Sequence, residues 1–159
     1  MSKYDWLLFF HVTGAFLLVG GTVSAGSFTI LSRLRERPSE VATLLGLVRF
    51  ALPFIFGGVL LTLVFGLWLV RAAGQGYSYG DAWVVAALVL WVAANALGGA
   101  GGKREAEKQE LATRLAREGD APSAQLKAAL RDPLSYALNF GSGLLVFAVL
   151  ALMIWKPGS

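Results

Sequence analysis

The chain of 159 residues contains no cysteine, which excludes disulfides, thiolate zinc sites and iron–sulfur clusters. Only two methionines are present, one of them the first residue, which argues against a thioether copper path. There is one histidine, His11, so a protein-built zinc site lacks its usual second imidazole. Charge is scarce as well: 15% of residues are Asp, Glu, Lys or Arg, against 56% hydrophobic. A soluble domain of this length needs more charge on its surface. Lipid must therefore solvate part of the apolar surface, and the composition is that of an integral membrane protein.

Four runs, residues 6–31, 50–70, 82–101 and 134–155, contain no Asp, Glu, Lys or Arg. Each reaches the ~20 residues that a helix needs to cross ~30 Å of hydrocarbon. None alternates polar and apolar residues as the strands of a membrane barrel would. The expected fold is all-α: one membrane domain over residues 1–159, an integral membrane four-helix bundle with a helical cytoplasmic hairpin between spans three and four. Small residues at Val23-Ser24-Ala25 resemble a signal-peptidase site. The apolar run continues past them to Leu31, so the segment reads as a span that is retained.

The basic residues are unevenly placed. Arg33, Arg35, Arg37 and Arg49 lie in the first connection, and seven more, Lys103 to Arg131, lie in the third. Only Lys3, Arg71 and Lys156 fall on the other side. The positive-inside rule then predicts a multi-pass protein of the plasma (inner) membrane, with both termini outside and loops 32–49 and 102–133 in the cytoplasm. This asymmetry accounts for the net charge of +4 without nucleic acid as a partner. The expected partners are the bilayer itself and a homo-oligomer or a membrane complex. Trp6, Trp68, Trp83 and Trp155 mark the outer end of each span, as an interfacial aromatic belt would.

Both charged connections read as helical. Residues 40–49 put Val41, Leu44, Leu45 and Val48 on one face and run into the second span, with Pro53 at the junction. Residues 103–118 extend the third span, Gly119-Asp120-Ala121-Pro122 ends it, and Ser123 caps a short helix to Arg131. The sequence pattern reads as a solvated hairpin. Gly98-Gly99-Ala100-Gly101-Gly102-Lys103 fails as a phosphate loop, because Leu97 stands at the first glycine position and Arg104 at the Ser/Thr position. There is no Ser/His/Asp grouping and no metalloprotease motif, and the sequence assigns no enzymatic reaction.

An ionisable residue inside a span is a functional-site candidate by default, and His11 is the only one. It shares a helical stripe with Gly14, Leu18, Gly21, Ala25 and Phe28, the three–four spacing of a packing seam. Small residues there admit a neighbouring backbone or a flat cofactor. Five residues inside Trp6, His11 lies roughly 7–8 Å below the outer interface at 1.5 Å per residue. No second titratable group is available in the spans for a proton relay. A haem iron needs just one strong protein ligand, which makes haem b the cofactor this pattern suits. The opposing reading is an imidazole hydrogen-bonded to a neighbouring helix or to Tyr4, Asp5 or Asp81, in a non-catalytic accessory or scaffold subunit. Asn95 and Asn139 read as interhelical amides bonding each other or backbone carbonyls.

The opening Tyr4-x-Trp6-x4-His11-x9-Gly21, followed by Arg33, resembles the first helix of the HemJ-type protoporphyrinogen oxidases. The whole chain is similar to an uncharacterised family of small four-helix membrane proteins akin to HemJ and to CopD-type copper-resistance domains. The resemblance implies haem b bound by His11, with Gly14 and Gly21 making room for the macrocycle. It also implies a second ligand from a later intramembrane lysine. No span here carries lysine, and Met153 is the residue positioned to stand in its place.

Overall fold

A computed structural model describes residues 2–72 and 76–157. Part of the second connection, residues 73–75, lies outside the described residues, as do both ends of the predicted domain. All regular structure among the described residues is helical: α1 (Lys3–Ser32), α2 (Pro38–Ala72), α3 (Ala82–Arg117), α4 (Ala124–Leu130) and α5 (Pro133–Trp155). Four helices are long and apolar enough to cross a membrane. Side chains in mid-span face outward without protein cover, Phe16 at 80% and Leu144 at 70% exposure. Such surface is stable only against hydrocarbon.

The helices overrun the predicted spans. At 1.5 Å per residue α3 is roughly 54 Å long, well beyond the ~30 Å of hydrocarbon, so its C-terminal half stands outside the lipid. α2 runs unbroken from Pro38 through Pro53, as the sequence pattern of residues 40–49 predicts. Gly119 ends α3 by adopting φ 139°, and Asp120 follows at φ 55°. Ser123 caps α4 by accepting from the Leu126 N–H.

The bundle is two hairpins. α1 packs along α2, α3 along α5, the hairpins join through α2 and α3, and α1 scarcely touches α5. Glycine sets the first pairing. A Cβ on Gly14 would lie 2.7 Å from the Thr62 nitrogen, and one on Gly21 would lie 2.8 Å from Ile55 Cγ1. Gly58 faces back onto the Gly14 carbonyl and the Leu18 backbone. Without side chains at these points the two backbones pack directly, the device by which membrane helices associate.

Two sequence expectations need correction. The connections at the basic end are not simply solvated. Val41, Leu45, Ala112, Leu126 and Leu130 form a buried cluster there, with Val41 and Ala112 at 0% exposure. In water, outside the lipid, burial of apolar area drives this packing. Trp83 is also not a lipid-facing belt residue like Trp6, Trp68 and Trp155. It is buried against Val70 and Val84, with the Tyr77 ring edge-on at 5.4 Å.

Candidate functional site

His11 is half-buried on α1, and its ring lies against α2. Its Nδ1 is 2.9 Å from the backbone carbonyl oxygen of Thr62. A carbonyl can only accept, so Nδ1 carries the hydrogen and donates it. In the neutral ring this fixes the tautomer and leaves the Nε2 lone pair unused by that bond. One turn beyond Thr62, Gly66 makes the seat: a Cβ there would lie 2.8 Å from His11 Cε1 and 2.9 Å from Nδ1, but 3.9 Å from Nε2. Nε2 is therefore turned away from α2.

Beside the ring is a cavity of about 460 Å³ at the aromatic end, where the two hairpins diverge. His11, Thr62 and Gly66 line it from the α1–α2 hairpin, and Trp83, Trp91 and Met153 line it from the α3–α5 hairpin. Tyr4, Tyr77 and Lys156 stand at its outer rim. Lys156 lies 4.7 Å from the centre of the Tyr77 ring. Most of the lining is apolar, yet Thr62 Oγ1, Trp83 Nε1 and Trp91 Nε1 are buried with no hydrogen-bond partner among the described residues. Buried polar groups are normally satisfied, so these three atoms are exceptions; Thr62 Oγ1 lies at the α1–α2 seam, 2.9 Å from where a Cβ on Gly14 would stand.

The predicted site residues separate. His11 faces the cavity, whereas the space beside Gly14 and Gly21 is filled by α2. Their effect on the site is to hold α1 tightly enough on α2 for His11 to reach the Thr62 carbonyl. Thr62 and Gly66 were not legible as partners. The one contributes a backbone atom, which leaves no mark in a sequence, and the other is one of 19 glycines. Asn95 bonds the Trp91 carbonyl of its own helix, not a second amide.

Sequence reading also missed a buried charge cluster at the basic end. Glu105 and Lys108, on successive turns of α3, are 7% and 6% exposed. Glu105 Oε1 accepts from Lys108 Nζ at 2.9 Å, from Arg33 at 3.2 Å, from Asn139 at 3.3 Å and from the Ser135 hydroxyl. Asn139 thus serves a carboxylate instead of another amide. Glu105 Oε2, Arg33 Nε and Arg33 Nη1 have no partner among the described residues. Removing one member of a buried pair strands the other charge, at a cost of ~3–5 kcal/mol. The cluster fastens the C-terminal end of α1 and the first turn of α5 to α3.

Comparison with known proteins bears on the family alone. A family model described as "Predicted integral membrane protein (DUF2269)" matches residues 5–157. No curated protein matches the chain, and no solved structure does. The match supports the membrane-protein side of the resemblance noted in the sequence, and no finding supports the HemJ and CopD side.

Proposed function

The chain belongs to the DUF2269 family of integral membrane proteins, and from that premise we propose that it binds haem b, or serves a redox role, through His11. The observation carrying this reading is the Nδ1 hydrogen bond to the Thr62 carbonyl. Histidine ligands to metals commonly donate their second ring N–H to such a carbonyl, which orients the ring and raises its basicity. A volume of about 460 Å³ lies within the ~300–1,000 Å³ usual for cofactor pockets. His11 is the one histidine of the chain, and a haem iron needs one strong protein ligand.

The residues present fit that group. His11 would hold the iron, Met153 lies on the opposing helix, and Tyr4, Tyr77 and Lys156 at the rim would meet the carboxylate edge of the ring. When bound, haem supplies one-electron redox chemistry. The apolar walls keep water from the site, and Gly14 and Gly21 hold the helix that carries the ligand. In the proposed orientation the basic end lies in the cytoplasm, and both termini lie outside the inner membrane.

The test is the visible spectrum of full-length protein purified from haem-sufficient cells. A Soret band is expected, and His11→Ala is expected to abolish it while leaving the helical circular dichroism intact. A colourless protein that stays colourless after haemin addition overturns the reading. It would favour the second one, which the snug seat over Gly66 supports: His11 as an interhelical hydrogen bond in an accessory or scaffold subunit.

A further inference from the structure

We propose that the groove between the α1–α2 connection and α4, at the basic end, binds a phosphate group. The groove has a volume of about 410 Å³. Arg33, Arg35, Lys127 and Arg131 line it, and Glu36 is the one acid among its walls. Arg35, Lys127 and Arg131 form no ion pair among the described residues. Set against Glu36 and against Glu105, which pairs Arg33, these four cations leave a surplus of two positive charges around one concavity, a potential that attracts an anion.

Arg33 supplies the second, independent observation. Its side chain is 8% exposed, and one nitrogen, Nη2, is held by Glu105. The guanidinium lies 3.4 Å from the centre of the Tyr136 ring, which fixes its plane. Nε and Nη1 remain without a partner. A buried, pre-oriented guanidinium with unused N–H groups can donate them to an oxyanion, Nε and Nη1 each by a single charge-assisted hydrogen bond. Charge asymmetry across a membrane requires only a count of solvated Lys and Arg, and it does not require a buried arginine with unmet donors.

Position argues for phosphate. Arg33 immediately follows α1, and Tyr136 is in the first turn of α5, so the groove sits at the level of the span ends. Phospholipid phosphates occupy that level, and basic pockets there bind anionic headgroups. Leu34, 72% exposed at the groove's edge, offers apolar surface to the upper part of an acyl chain. A headgroup and a free phosphate share the recognising chemistry, and an experiment separates them.

Native mass spectrometry of the full chain in detergent, with phosphatidylglycerol, phosphatidylcholine or inorganic phosphate added separately, tests the proposal. Arg33→Gln would also strand Glu105, so the groove is probed by the exposed pair Lys127→Gln/Arg131→Gln. The control is Lys103→Gln/Arg114→Gln, two exposed cations at the same end and outside the groove. The wild type is expected to retain phosphatidylglycerol over phosphatidylcholine. The groove variant is expected to bind it roughly 30-fold more weakly, the effect of two interfacial charges, and the control to be unchanged. Binding of inorganic phosphate that the groove variant loses, without lipid preference, would uphold the phosphate site and identify its source as soluble. Equal losses in both variants, or no discrimination among the three additives, would overturn it.

Discussion

At the scale of single residues, the imidazole of His11 is placed by two features of α2 that carry no chemistry of their own. One is a carbonyl and the other is the missing side chain of Gly66. Gly66→Ala would put a methyl 2.8 Å from the ring, forcing it off Thr62. The expected cost is ~1–3 kcal/mol of overpacking, read as a lower melting temperature in detergent, with weakening of any Soret band. Gly20→Ala is the matched control, since nothing lies within 4 Å of the added carbon. It should melt at or slightly above the wild-type temperature, given alanine's higher helix propensity. Equal melting of the two variants would show that the seat is not tight. His11 itself stood out in the sequence because one ionisable residue among apolar ones is conspicuous. Its partners did not, because sequence spacing on α1 says nothing about which turn of α2 lies opposite.

At the scale of elements, the spans were legible because the absence of charge is a one-dimensional signal. The packing of the basic end was not. Val41 and Leu126 share a core, yet they lie on helices joined only through two membrane crossings. Glu105 and Lys108 read as solvated charges because Ser135 and Asn139, which also donate to Glu105, come from α5, 30 and 34 residues further along the chain. The turn after α3 is a further long-range link. Ser39, at the start of α2, donates its N–H and its hydroxyl to the two Asp120 oxygens, each at 2.7 Å. The Ser39 hydroxyl bond first, then its N–H bond and nearby Arg37, hold the Asp120 carboxyl below its ordinary value. A depressed carboxyl contributes stability above its unfolded pKa of ~3.9 and loses it as pH falls through the lower folded value. Asp120→Asn, tolerated at φ 55°, should therefore melt below the wild type at pH 7. Thermal scans should show that difference shrinking below pH ~4. A pH-independent gap would mean that the carboxylate's charge plays no part in holding α2 to the turn.

At the scale of the whole molecule, the two ends are chemically unlike. One carries the tryptophans and the cavity, the other the basic groove and the water-type core. The lack of native cysteine makes their orientation directly measurable. Gly80→Cys at the aromatic end is expected to react with a membrane-impermeant maleimide in intact cells. Gln125→Cys at the basic end should react only after permeabilisation, and the reverse pattern would invert the proposed topology. The loose fit between α1 and α5 has its own consequence. Val12 and Ile154, both in the cavity lining, are 56% and 75% exposed, so this slot looks sideways into hydrocarbon. A guest dissolved among the acyl chains can pass through such a side door without ever entering water. Its supply is then governed by how strongly it partitions into the membrane and diffuses in two dimensions, not by its solubility on either side.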